Sequence, residues 1–324
     1  MRLSRRSFGI GLAAAALAAE PSFAGAPDGP LPQTVAELVR FANAPFPYDG
    51  AKPGDGSDFL DTTGPDGRVG HTSPRGGIYY ADETYSDSRV LVALPAGFEL
   101  RRRAAIVVFF HGNNATLQRD VIGRQRILDQ FAASHLNAAL IAPQFAVDAL
   151  DSSAGRFWLK GAFAGFMSEA ATALARLWGA RSVRSTFAGL PIILVAYSGG
   201  YDPAAYALTV GGVGRRMAGV ILMDALVDEA DKFTSWIAAS RRSAFFFSAY
   251  SEASEDGNEA VMRRLAARGI PYSSAPPARL GPGSVVFLAT DGVSHDDYMT
   301  SAWVADPLTW LLDRVTGFPR YPHS

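Results

Sequence analysis

From about residue 76 onward, short unbroken apolar runs alternate with longer stretches whose apolar residues recur every three or four positions. An uninterrupted run rich in β-branched and aromatic residues predicts a strand buried on both faces. Such runs fall at Ala104–Phe110, Ala138–Ala142, Ile192–Tyr197, Val220–Met223, Ala244–Ser248 and Val285–Ala289, and Arg89–Leu94 predicts one strand more. Helical periods fall between and after them: Leu117–Ser134, Phe163–Trp178, a helix starting at Pro203 and running to Leu208, Asp228–Ala239, Asn258–Arg268 and Asp306–Val315. Strands separated by helices need crossover connections, and crossovers cover both faces of a mainly parallel sheet. The pattern predicts an α/β fold, with no internal repeat at solenoid or propeller periods.

The N-terminal quarter reads differently. Residues 25–75 are rich in Pro, Gly and Asp, with one short helical pattern at Thr34–Phe41. They predict an extended arm lying over a domain that spans 76–324. The acidic stretch "DGSDFLDTTGPDGRVG" lacks the ligand spacing of an EF-hand, and turn chemistry accounts for its Asp and Gly residues. Residues 1–24 predict an export signal. Arg2, Arg5 and Arg6 form a positive start, Phe8–Ala19 is apolar but too short to span a bilayer, and Ser22-Phe23-Ala24 offers small residues for cleavage. Ser4-Arg5-Arg6-Ser7-Phe8 resembles a twin-arginine signal. The expectation is a periplasmic or secreted protein with no stable membrane span once the signal is removed.

Composition narrows the chemistry. The chain has 324 residues, 48% hydrophobic, with a formal net charge of −1. Near-zero charge excludes nucleic acid as the main partner, and the scattered Arg pairs read as solvated edges. There is no cysteine, which removes thiolate nucleophiles, disulfides and Cys-based zinc sites. "GGVGRR" at 211–216 follows a helix rather than a strand, so it does not read as a nucleotide loop.

In a parallel sheet, ligands sit beyond the C-terminal ends of the strands. Ser198 follows the strand Ile192–Tyr197, with Ala196 two residues before it and Gly200 two after. That is the sterically small frame of a sharp strand-to-helix turn that lifts a serine hydroxyl above the sheet. After Ala104–Phe110 comes His111-Gly112-Asn113-Asn114. The amides of Asn113 and Gly199 are the candidate oxyanion donors, and His111 reads as a structural imidazole holding its loop. A serine needs a general base. Of the five histidines, His71 lies in the arm, His135 at a helix end, His111 in the loop just described and His323 at the C-terminus. His295, a few residues past the last strand, remains. Two acids compete to orient it: Asp224, directly after its strand, and Glu252 in the loop after the next. Asp296 and Asp297 read as solvated. His111, Gly112, Asn114, Tyr197, Phe145 and Trp158 are pocket candidates, with Gln144–Phe166 as one wall.

The order Ser198, Asp224, His295, together with the Ala-x-Ser-x-Gly turn and the His-Gly loop, resembles the α/β-hydrolase superfamily over roughly residues 76–318. The resemblance implies a mostly parallel sheet with helices on both faces. Only one helix separates Val220–Met223 from the next strand, so no large lid domain is expected. It implies ester cleavage through a Ser-His-Asp triad and an acyl-enzyme, without metal or organic cofactor. The substrate would be a small-molecule or polymer-linked acyl ester. An amidase or peptidase would use the same residues, and an inactive glycan-binding scaffold is the reading from outside catalysis. Two departures stand out. The acid more often follows the next strand in this superfamily, and Pro203 lies where the helix after the serine should already be running, so a late or bent start is expected.

Overall fold

The computed structural model describes residues 29–321. The export signal read at 1–24 and His323 lie outside the described residues. In chain order the strands are β1 (Val35–Arg40), β2 (Thr62–Thr63), β3 (Val69–Thr72), β4 (Ile78–Tyr80), β5 (Arg89–Leu94), β6 (Ala105–Phe110), β7 (Ala138–Pro143), β8 (Ile192–Tyr197), β9 (Met217–Met223), β10 (Phe245–Tyr250) and β11 (Val285–Ala289). The α-helices are α1 (Ala81–Thr84), α2 (Ile127–Ala133), α3 (Ala162–Leu177), α4 (Arg184–Gly189), α5 (Tyr201–Thr209), α6 (Ala230–Ser240), α7 (Glu255–Ala267) and α8 (Pro307–Leu312).

Eight strands form one sheet in the order β1-β5-β7-β6-β8-β9-β10-β11, and β2-β3-β4 form a small antiparallel sheet beside it. Pairing is antiparallel from β1 through β5 to β7 and parallel from β7 to β11. Period-2 alternation divides the sheet's side chains between two cores. Val108, Phe110, Leu194 and Leu222 face a layer holding Phe163, Phe187, Ala204, Phe233 and Val261 of α3 to α7. Val107, Phe109, Val195 and Ile221 face Phe131 of α2 and Leu308 and Leu311 of α8. Both faces are therefore covered, which is why β6, β7 and β8 are buried at every position. This is the α/β-hydrolase fold, and α6 is the one α-helix between β9 and β10.

Three elements differ from the expectations. Thr34–Phe41 predicts a helix, yet residues 35–40 are an antiparallel edge strand whose pairing runs from Val35 opposite Leu94 to Arg40 opposite Arg89. A helix of that length is too short to hold itself, and the open edge of β5 supplies backbone partners instead. Leu117–Ser134 predicts one helix but divides into a π-helix, Leu117–Arg124, and α2, with Arg126 left-handed at φ 50° between them. The helix after Ser198 is neither late nor delayed by Pro203. It starts at Tyr201, and Pro203 sits in its first turn, where a backbone N–H has no intrahelical acceptor to lose.

Register sets the site. Phe110 lies opposite Ala196, Tyr197 opposite Met223, Ala249 opposite Met223, and Tyr250 opposite Ala289. The strands thus end along one rim, and the residues that follow, His111, Ser198, Asp224, Ser251 and Thr290, form a row across it.

Candidate active site

Ser198 is the first residue after β8 and adopts φ 51°, a left-handed backbone that costs a residue with a Cβ about 1–2 kcal/mol. The turn is tight enough that a Cβ on Gly200 would sit 2.7 Å from the Phe110 carbonyl oxygen, and one on Gly112 2.7 Å from the Ser198 Cβ. The two glycines let the β6 and β8 loops close on each other, and the serine is held half-buried at their junction.

The Ser198 hydroxyl lies 2.7 Å from His295 Nε2, and His295 Nδ1 lies 2.6 Å from Asp224 Oδ2. The three candidates, 97 and 71 residues apart along the chain in these two pairs, form one hydrogen-bonded line. Asp224 is fully buried, also left-handed at φ 48°, and its amide donates to the Ala249 carbonyl at 2.8 Å. Its carboxylate also accepts from the Ser251 amide (2.9 Å), the Ser251 hydroxyl (2.7 Å) and the Ser254 hydroxyl (2.5 Å). Burial alone would raise this carboxyl. The hydrogen bonds from His295, Ser254 and Ser251 outweigh it and hold the group below the usual carboxylate range.

Glu252 is exposed and makes no bond to His295 among the described residues. The loop after β10 contributes donors instead of an acid. Ser251 and Ser254 were not singled out from sequence, although two serines spaced three apart in a turn directly after a strand were the available signal. Together they supply three donors to the Asp224 carboxylate.

His111 is buried beside the serine but has another task. Its Nδ1 donates to the Gly112 carbonyl at 2.7 Å, and its Nε2 accepts from the Phe145 amide at 2.9 Å and faces Gln144 Nε2 at 3.0 Å. Burial drives its pKa down to about 4, so the ring is neutral and both nitrogens are committed. It ties the β6 loop to the β7 loop. Asn113 and Gly199 adjoin: a Cβ on Gly199 would meet Asn113 Oδ1 and lie 2.8 Å from the Ser152 hydroxyl, which itself donates to Asn113 Oδ1 at 3.2 Å. Asn114 is exposed, with its carbonyl accepting from Arg119.

The other pocket candidates separate. Phe145 is core, packed edge-on against Phe110 at 5.0 Å. Trp158 is half-buried, donates from Nε1 to Asp202 Oδ2 at 3.1 Å, and packs edge-on against Tyr48 and Phe59. Tyr197 is buried beneath the imidazole. The small sheet reaches the same rim, since the Ser73 hydroxyl donates to the Leu150 carbonyl at 2.6 Å. His71 lies within that region, its Nδ1 at 2.7 Å from the Phe59 carbonyl and its ring stacked on Phe59. His135 packs on Tyr321, remote from the rim.

A nucleophile paired with an imidazole, itself paired with a buried carboxylate, can move a proton from hydroxyl to leaving group. No family model and no curated protein matches the chain. Among solved structures it is similar to a variant of the feruloyl esterase module from Clostridium thermocellum complexed with sinapinate (14% identity, TM-score 0.46, 86% of this chain and 100% of that one). It is also similar to FphF, a fluorophosphonate-binding serine hydrolase of Staphylococcus aureus (11%, 0.45, 86% and 98%). A third is the S-formylglutathione hydrolase FrmB of Staphylococcus aureus (13%, 0.43, 89% and 99%).

Proposed function

We propose that the protein is a serine hydrolase that cleaves carboxylic esters through an acyl-enzyme. The observation that carries this reading is the unbroken line from the Ser198 hydroxyl through His295 to Asp224. Ser198 Oγ attacks the acyl carbon as His295 Nε2 takes its proton. The carbonyl π electrons move to oxygen, and the amides of Gly199 and Asn113 stabilise that oxyanion, each for about 3 kcal/mol of barrier. The tetrahedral intermediate collapses, the C–O bond to the alcohol breaks, and His295 returns the proton to the departing oxygen. Water then attacks the acyl carbon while giving a proton to His295, the second tetrahedral intermediate collapses with cleavage of the bond from that carbon to Ser198 Oγ, and His295 returns the proton to Oγ, leaving the free acid as product. Asp224 fixes the imidazole tautomer with Nδ1–H donating, and its charge stabilises the imidazolium.

A fluorophosphonate probe should label the wild type with one adduct at Ser198 and leave Ser198→Ala unlabelled. p-Nitrophenyl acyl esters of graded chain length should be turned over by the wild type. Labelling that persists in Ser198→Ala would sink the assignment. Failure on esters with turnover of the matching anilides would move the reading to an amidase. The export reading rests on residues 1–24, and in a twin-arginine-competent bacterium the mature protein should begin near residue 25. An intact N-terminus retained in the cytoplasm would remove it.

A further inference from the structure

His295 sits on a segment between β11 and α8 that has no regular secondary structure, and its neighbours Ser294, Asp296 and Asp297 are all exposed. A base on such a loop is only as well placed as the loop's backbone. Two side chains outside the Ser-His-Asp line grip that backbone at adjacent carbonyls. The Tyr197 hydroxyl donates to the His295 carbonyl at 2.6 Å, and Arg124 Nη1 donates to the Asp296 carbonyl at 3.1 Å. Both grips come from elements that are themselves fixed. Tyr197 ends β8, is 4% exposed, and stacks its ring on the imidazole at 5.2 Å between centroids and 24° between planes. Arg124 ends the π-helix, and its Nε donates to Asp120 Oδ1 at 3.0 Å. Asp120 is buried and also accepts from the Thr116 amide at 2.8 Å and from Arg119 Nε at 2.9 Å.

We infer that Tyr197 and Arg124 are positioning residues that hold the His295 loop, and thereby the imidazole, in line between Ser198 and Asp224. The inference deepens the proposed hydrolase reading and rests on it for its kinetic consequence, though not for the placement of the ring. Tyr197 precedes the nucleophile directly, so one residue pair sets both hydroxyl and base: Ser198 by its backbone, His295 through the neighbouring phenol. The phenol is buried, so water cannot readily replace it when it is lost. Arg124 is exposed, and its loss leaves a carbonyl that water can reach. Tyr197 is therefore the stronger anchor. Because both restrain one loop, each buffers the loss of the other.

The test combines turnover of a p-nitrophenyl ester with proton NMR of the His295 Nδ1–H, which resonates far downfield only while the ring stays bonded to Asp224. Tyr197→Phe keeps the ring and the stacking and removes one hydroxyl. It should lower kcat roughly three- to thirtyfold with KM within about twofold, and broaden or erase the downfield signal. Arg124→Gln, at the surface and safe for folding, should lower kcat by a smaller factor, with Arg124→Lys recovering part of it. The double variant should lose more than the product of the two. A Tyr197→Phe protein with wild-type kcat and an unchanged downfield proton would overturn the inference, as would strict multiplicativity in the double variant. If the wild type turns over no ester, the hydrolase reading falls, and the NMR signal in the variants still decides whether these two residues hold the ring.

Discussion

Ser198 and Asp224 each pay for a left-handed backbone at a residue that is not glycine, and each is the first residue beyond a buried strand. The strain turns a side chain that would otherwise continue the pleat toward the rim. For Asp224 the return is visible in its partners: four hydrogen bonds converge on a carboxylate with no solvent contact. Such a group is expensive to neutralise. Asp224→Asn replaces one acceptor oxygen with a donor facing His295 or two serines, so the imidazole loses its tautomer preference. Turnover should fall on the order of 10²–10⁴-fold, while Glu252→Gln should stay within about twofold of wild type, as expected for an exposed surface change. Steady-state kinetics on the two variants check this directly. A collapse in Glu252→Gln with Asp224→Asn unaffected would reverse the assignment of the acid.

At the scale of elements, the sequence was most readable where burial on both faces left no choice. The bounds of β5, β8 and β11 follow from runs such as Ile192–Tyr197, because a strand with helices on either side has no polar face to confuse the period. Legibility failed where a partner rather than the local pattern decides. Residues 35–40 have a helical spacing of Val35, Leu38 and Val39, yet they pair with β5 because that strand's other edge is free. Leu117–Ser134 divides at Arg126, whose left-handed backbone separates the π-helix from α2, and within the π-helix the Asp120 carboxylate gathers the Thr116 amide, Arg119 and Arg124; neither feature is visible to periodicity. The same held at the site. Ser198, Asp224 and His295 were legible because each follows a strand end. Ser251 and Ser254 were not, since their one signal, two serines three apart in a turn after a strand, gains meaning only once the carboxylate they donate to is located. Tyr197 was legible as a neighbour of Ser198 and not as a donor to a carbonyl 98 residues away.

For the whole molecule, buried His111 and half-buried Asp202 couple folding to pH in opposite directions. Asp202, in the first turn of α5, accepts from Trp158 Nε1 and the Ala154 amide, both at 3.1 Å. Burial, reinforced by nearby Glu229, pushes its pKa up from 3.8 to about 7 despite those donors. Between these values the folded state keeps a proton that the unfolded chain releases, so this group's contribution to stability declines as pH rises. His111 works the other way. Its pKa is lowered from 6.5 to about 4, so between those values the unfolded chain binds a proton that the folded state refuses, and stability rises with pH. Each slope is at most about 1.4 kcal/mol per pH unit, less for Asp202 because its carboxyl is only partly shielded. In the wild type the two oppose each other from about pH 4 to pH 6.5, and only the Asp202 slope continues to about pH 7. Asp202→Asn keeps an oxygen to accept from Trp158 and Ala154 but removes the titration. Its stability relative to wild type should therefore climb through the interval from pH 4 to pH 7 and level off above it, by an amount on the order of 1–3 kcal/mol. Urea unfolding of both proteins at half-unit steps across that range reads the difference. Parallel curves would show that Asp202 is ionised in the folded protein throughout, and that His111 alone shapes the profile.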